Sequence, residues 1–273
     1  MIEPSERTGW RGFFDRGGWW KALLVAAGYV AAFQGCSLLI GRLFGGLVDP
    51  DNLFASPVSV FIALGLPVII GSALLLLLMV VLRWSRDLFG PQPLGGRPWM
   101  WVAPAVVLLA VILRAAGTDY AAFAPGTVLV TYLAGLFIGL SEELLTRGFA
   151  VNLLRRKGYG ERTVMLLSSL IFALLHSTNL FTGQPPLTVL LTMVFTFFFG
   201  VAMYLTLRVT GSLVWPVLLH GLTDPSSFLA TGGIDTAAGA ASPLVSVAGL
   251  SVWAYVILAI LALFLVRERR DQA

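Results

Sequence analysis

Long apolar stretches recur along the 273-residue chain and alternate with short polar connections. A helix that crosses about 30 Å of hydrocarbon needs roughly 20 apolar residues. Eight stretches approach that length: 22–44, 57–82, 99–115, 127–152, 162–179, 187–208, 211–225 and 243–266. They are continuously apolar and lack the alternation of a membrane β-barrel. The pattern predicts an all-α, polytopic transmembrane helical bundle of about eight spans.

Two features refine this picture. The seventh stretch is short and Pro216 interrupts it, so a broken helix or a re-entrant segment is expected there. Gly135 and Gly139 form a GxxxG pattern in the fourth stretch, which lets a neighbouring helix approach closely. The predicted regions are an interfacial N-terminal segment at 1–21, a single transmembrane bundle at 22–266 and a tail at 267–273.

Composition agrees with a membrane protein, since 58% of the residues are hydrophobic and 12% are charged. A cleaved signal peptide is not expected, because the first twenty residues are polar and mixed in charge. The single cysteine, Cys36, excludes internal disulfides and cysteine-based metal clusters.

The net charge of +4 is a signal of topology. Fifteen of the eighteen basic residues fall in the two tails and in alternate connections: Arg7, Arg11, Arg16, Lys21, Arg83, Arg86, Arg97, Arg155, Arg156, Lys157, Arg162, Arg208, Arg267, Arg269 and Arg270. By the positive-inside rule these residues mark the cytoplasm, so both termini are predicted to be cytoplasmic. The charge therefore gives no indication of nucleic-acid binding.

Ionisable residues within membrane helices are costly and indicate function by default. Six occur within the predicted spans: Glu142, Glu143, Arg147, His176, His220 and Asp224. The two histidines are the only ones in the chain, so chemistry that titrates near neutral pH depends on them.

Helical spacing divides these residues. Glu143 and Arg147 are four apart and are predicted to pair on one helix face. Glu142 is turned by about 100° and is left, by elimination, as the carboxylate available for chemistry. The alternative is that all three form a packing network between helices.

Phe172 and His176 are four apart, as are His220 and Asp224. At about 1.5 Å per residue, Glu142, His176 and His220 lie roughly 20, 21 and 18 Å from basic residues at the inner ends of their helices. The spacing therefore predicts that one carboxylate and two imidazoles meet at one depth in the membrane.

Two hydrolytic schemes suit this set. Glu142 with His176 could deprotonate a water while His220 donates to the resulting oxyanion. Alternatively, His176, His220 and Glu142 could bind Zn²⁺ with an open fourth position. Asp224 is expected to orient His220 in either scheme. The sequence has no HExxH zinc signature and no GxSxG serine motif.

EELLTR (142–147), FALLH (172–176) and HGLTD (220–224) resemble, in order and spacing, the EExxxR, FxxxH and HxxxN/D motifs of the CAAX protease and bacteriocin-processing family of intramembrane endopeptidases. The resemblance extends over about residues 126–230 and implies an eight-helix bundle with a water-filled cavity open to the cytoplasm. It implies catalytic roles for Glu142, His176, His220 and Asp224, with Glu143, Arg147 and Phe172 in support. It also implies a membrane-associated peptide or protein substrate and a bacterial plasma membrane location.

In that family the first glutamate and the first histidine are thought to activate water, while the last histidine and an asparagine form the oxyanion site. Here Asp224 stands where asparagine is common. An ionised carboxylate cannot donate a hydrogen bond, which favours an orienting or ligating role for Asp224.

Two other functional classes share the bundle. A non-catalytic immunity or scaffold protein is compatible with it, although an intact set of three motifs is not typical of a decayed site. A proton-coupled transporter could relay protons through Glu142 and the histidines. The sequence shows no paired interrupted helices in two related halves, which many such transporters have.

Overall fold

The computed structural model describes residues 9–234 and 242–266, which form eight long helices and no β-strand. Predictions for residues 1–8, 235–241 and 267–273 lie outside the described residues. The helices, with their π and 3₁₀ extensions, are α1 Trp19–Leu47, α2 Pro57–Leu82, α3 Pro98–Gly117, α4 Pro125–Arg156, α5 Glu161–Thr182, α6 Pro186–Thr210, α7 Val214–Thr231 and α8 Pro243–Leu265. Seven of these, all but α7, are long and apolar enough to cross a membrane. The predicted fold class, a polytopic helical bundle, is confirmed.

The seventh element differs from the prediction. It is one continuous helix of 18 residues, α7, with neither a break nor a re-entrant turn. Pro216 lies in its first turn, where a backbone N–H has no helical partner to lose. The second proline, Pro225, is inside the helix and packs against Gly135 of α4, so the neighbouring helix fills the space beside the ring.

Close packing of α4 against α7 depends on the two predicted glycines. A Cβ atom on Gly135 would lie 2.5 Å from the carbonyl oxygen of Gly221, and one on Gly139 would lie 2.6 Å from the Gly221 backbone nitrogen. Real Cβ contacts are longer than this, so only glycine permits the approach. The two helices that carry the acidic and the second histidine motif are thereby held together.

One end of the bundle carries a network of ion pairs. Glu161, at the start of α5, accepts hydrogen bonds from Arg155 at 2.9 and 2.8 Å and from Arg208 at 3.0 Å. Arg156 pairs with Asp15 at 3.0 Å and with Asp87 at 2.9 Å. These contacts join the N-terminal helix Gly9–Asp15, the connection after α2 and the ends of α4, α5 and α6. We call this end of the bundle the basic end.

The half of the bundle next to the basic end is densely packed. In α6, residues 201–207 have no exposed surface on any side of the helix. A buried cluster that includes Leu144, Phe149 and Leu153 surrounds them. A helix that is apolar all round and fully enclosed forms the centre of a bundle. This centre fills the basic half, and the cavity described below lies beyond it.

Candidate active site

The adjacent glutamates of α4 face different neighbours, as their rotation on the helix predicts. Glu143 is fully buried, and its Oε1 accepts hydrogen bonds from Arg147 Nη1 at 3.1 Å and from His220 Nδ1 at 2.8 Å. Arg147 also donates to the hydroxyl of Thr146 and to the carbonyl of Gly200, both at 2.7 Å. The expected ion pair is therefore present, and it anchors α4 to α6 and α7.

His220 makes its short hydrogen bond to Glu143, and Asp224 lies further away. Its Nδ1 must carry a proton, because the carboxylate of Glu143 can only accept. Its Nε2 is 3.6 Å from Asp224 Oδ2 and 3.7 Å from Glu142 Oε2, both beyond normal hydrogen-bond length. The shortest bond to His220 thus comes from a different helix, while Asp224 lies within ion-pair distance of Nε2, so its orienting role stays a prediction.

His176 lies where α5 changes from α-helical to 3₁₀ geometry. Its backbone N–H bonds to the carbonyls of Ala173 and Leu174, which leaves the Phe172 carbonyl without that helical partner. The ring Nδ1 donates to the Phe172 carbonyl at 3.1 Å, because a carbonyl oxygen can only accept. This bond leaves Nε2 of His176 as a lone-pair acceptor.

The ring of Phe172 contacts the guanidinium of Arg147 and the imidazole rings of His176 and His220. The guanidinium carbon of Arg147 lies 4.6 Å from the centre of the Phe172 ring, within the range of a cation–π interaction. The rings of His176 and His220 pack edge-to-face with it at centroid distances of 5.1 and 5.5 Å. An aromatic ring at this position therefore holds both imidazoles in place.

Glu142, His176, His220 and Asp224 all line one cavity of about 240 Å³. The Oε2 atom of Glu142 is buried there without a hydrogen-bond partner. A buried polar atom of this kind normally bonds to a water or a ligand. The structure therefore brings together all four residues predicted to be catalytic and leaves an acceptor of Glu142 free for a further group.

Five polar residues of the cavity were missed by the sequence reasoning: Thr178 and Asn179 in the 3₁₀ part of α5, and Tyr29, Thr196 and Thr223. Each of the last three is a single hydroxyl in an apolar helix and matches no motif. Tyr29 packs over Gly71 of α2, where a Cβ would lie 2.9 Å from its hydroxyl oxygen. A tyrosine hydroxyl in an apolar helix usually has a polar partner, and this was the one signal available.

The cavity extends away from the basic end. Besides the residues at mid-depth, it is lined by Thr178 and Asn179 beyond the α-helical part of α5 and by Ile234 after α7. Among the described residues of the connections at 83–97, 157–160 and 211–213, none lines it. The resemblance implied a cavity open to the cytoplasm. In this fold, the cavity extends from mid-depth toward the end of the bundle opposite the basic residues.

The two histidines and the carboxylates of the cavity are residue types that can bind a metal. Both histidines donate Nδ1–H to an oxygen acceptor, the arrangement that usually orients a ligating imidazole. Within the described part of the chain, however, no three His, Cys, Asp or Glu side chains are placed so that they could share one ion. The gathered residues do not form a zinc site as they stand, and the chemistry derived below does not pass through one.

The three sequence motifs thus lie together around one internal cavity of a helical bundle. Residues 124–225 match the family model described as type II CAAX prenyl endopeptidase Rce1-like. That segment, which contains Glu142, His176, His220 and Asp224, is similar to the CAAX-protease family, and this match confirms the resemblance. No curated protein and no solved structure matches the chain significantly.

Proposed function

We propose that the protein is an intramembrane endopeptidase that hydrolyses a peptide bond in a membrane-associated peptide or protein. The observation that carries this proposal is the unpartnered Oε2 of Glu142, which lies in a cavity with both imidazoles. The cavity volume of about 240 Å³ admits several water molecules. The family match supports a protease, and the geometry supports these particular residues.

The first step is water activation. A water in the cavity gives its proton to Glu142, and its oxygen forms the new bond to the carbonyl carbon of the substrate. The Nε2 lone pair of His176 accepts the second hydrogen of that water and so directs its oxygen at the carbonyl. When the tetrahedral intermediate collapses, the C–N bond breaks, and the leaving nitrogen takes the proton held by Glu142. The products are a carboxyl group and an amine.

The second requirement is stabilisation of the oxyanion. His220 donates Nδ1–H to Glu143, and a proton on its Nε2 would point into the cavity between Glu142 and Asp224. In our scheme His220 is an imidazolium that donates this proton to the oxyanion. Asp224 stabilises that cation from the cavity side, a role that an ionised aspartate can fill.

The test is Glu142→Gln in purified protein reconstituted in lipid nanodiscs. A library of internally quenched peptides, with prenylated and unprenylated members, serves as the substrate. Loss of a general base lowers the cleavage rate by about 10²–10⁴-fold. Asp51→Asn, the same kind of change at an exposed position, is the matched control. Equal cleavage by Glu142→Gln and the parent would contradict the mechanism.

The same variant separates proteolysis from a scaffold role. A strain that carries Glu142→Gln accumulates uncleaved substrate in its membrane peptidome if the protein is a protease. An unchanged peptidome together with an unchanged phenotype would instead favour the non-catalytic immunity or scaffold function.

A further inference from the structure

The cavity and the positive charges of this protein lie on opposite sides of one buried layer. On the basic side of Glu142, Arg147 and Phe172 are 2% and 1% exposed, and Leu145 is 1% exposed. Arg147 binds the Gly200 carbonyl of α6 and stacks on Phe172, so this layer joins α4, α5 and α6. A peptide that approached from the basic end would have to break these contacts to reach Glu142.

A second cavity, of about 410 Å³, lies at the basic end itself. It is lined by Arg147, Asn152 and the Pro/Gly-rich connection at 91–94. The two cavities share no lining residue. The cavity at the basic end therefore ends at Arg147. The buried layer separates it from Glu142.

The distribution of basic residues indicates which end of the bundle faces the cytoplasm. The basic end holds eleven of the fifteen residues that mark the cytoplasm, and its ion pairs tie the connections between alternate helices into one surface. Short connections rich in arginine and lysine remain in the cytoplasm during insertion. The cavity rim at Asn179 and Ile234 is then at the outer face of the membrane.

We infer that the active site receives its substrate from the outer side of the membrane. This inference rests on the proposed function. It narrows the class of substrates to membrane-spanning or exported peptides that have their scissile bond in the outer half of the bilayer. The cytoplasmic C-terminal tail of a lipid-anchored protein would not reach Glu142 without crossing the layer. The apolar side chains that line the cavity, among them Phe33, Leu64 and Leu175, suit the flanking apolar residues of such a substrate.

The experiment measures which side of the membrane reaches the cavity. Cys36 is the only cysteine, so Cys36→Ser gives a thiol-free background. Thr196→Cys places a thiol inside the cavity, at a position 5% exposed that has no role in the mechanism. Ser85→Cys places one at the exposed basic end. Both replacements are close to isosteric.

Intact cells are treated with a small, membrane-impermeant, cationic thiol reagent, and parallel samples are permeabilised first. We expect Thr196→Cys to react in intact cells at least tenfold faster than Ser85→Cys, and Ser85→Cys to react fully after permeabilisation. Reaction of both thiols from the same side overturns the inference. So does reaction of Thr196→Cys only after permeabilisation, or in neither sample.

The labelling does not require catalysis, so it can be repeated with Glu142→Gln. If sidedness is as expected but Glu142→Gln still cleaves, the proposed function fails and the access route stands. If Glu142→Gln is inactive but sidedness is reversed, the proteolytic mechanism stands and the access route fails.

Discussion

Gly139→Ala tests whether the spacing between α4 and α7 sets the active site. The new Cβ would lie 2.6 Å from the Gly221 backbone nitrogen, and Gly221 directly follows His220. Ordinary contacts between such atoms are about 3.5–4 Å, so the two helices must separate by about 1 Å. The obstacle is backbone, which cannot rotate away as a side chain can.

This separation acts directly on the hydrogen bond between Glu143 Oε1 and His220 Nδ1. The present distance of 2.8 Å would increase to about 3.8 Å, outside the hydrogen-bond range. Misplacement of a catalytic group by about 1 Å costs on the order of 10²-fold in rate. Overpacking costs about 1–3 kcal/mol of stability, which a well-packed bundle tolerates. We therefore expect a folded protein with about 10²-fold lower cleavage activity.

The assay compares kcat/KM on one cleaved peptide with the thermal unfolding temperature in the same nanodiscs. Gly126→Ala is the matched control, since it lies on the same helix and its Cβ would meet only a Pro57 side-chain atom at 3.4 Å. The reasoning is refuted if Gly139→Ala folds and cleaves at the parent rate. A loss of activity in both alanine variants would also refute it.

Three further predictions concern the charged groups, and a fourth concerns a metal. Arg147→Met removes the guanidinium from the buried Glu143, which keeps its bond to His220, and should cost about 3–5 kcal/mol, measured by thermal or denaturant unfolding; a stability equal to the parent contradicts this. Glu161→Gln breaks the basic-end network far from the cavity. We expect a lower unfolding temperature and an unchanged kcat. A selective loss of kcat would show that the network belongs to the active site. Asp224→Asn should keep cleavage within about tenfold of the parent while Asp224→Leu loses more, because an amide can still bond to His220 or to the oxyanion. Dialysis against a chelator should leave activity intact, and a loss that Zn²⁺ restores would require a metal-dependent mechanism.

Much of the fold could be predicted, because the length and hydrophobicity of a membrane helix identify it in the sequence. The eight apolar stretches correspond to the eight long helices, and the GxxxG glycines lie where α4 and α7 meet. The exception was α7. Pro216 indicates an interruption in the sequence, but the helix begins at Val214, so Pro216 falls within its first turn.

The site residues were predictable as a group, but not their pairing. Elimination assigned Glu143 to Arg147 alone, whereas one carboxylate oxygen accepts from both Arg147 and His220. Spacing along a helix reports neighbours on that helix and says nothing about a partner on another. The position of the cavity was beyond the sequence for a related reason, since it depends on which half of the bundle α6 fills.

The point at which α5 stops being α-helical has a chemical meaning. If the regular helix continued one turn further, the backbone N–H of His176 would share the Phe172 carbonyl with the imidazole and weaken the bond that fixes the ring tautomer. The helical geometry at His176 and the choice of the ring nitrogen that carries the proton are thus coupled. A molecule that prefers either ring form will shift the secondary structure at that helix end with it.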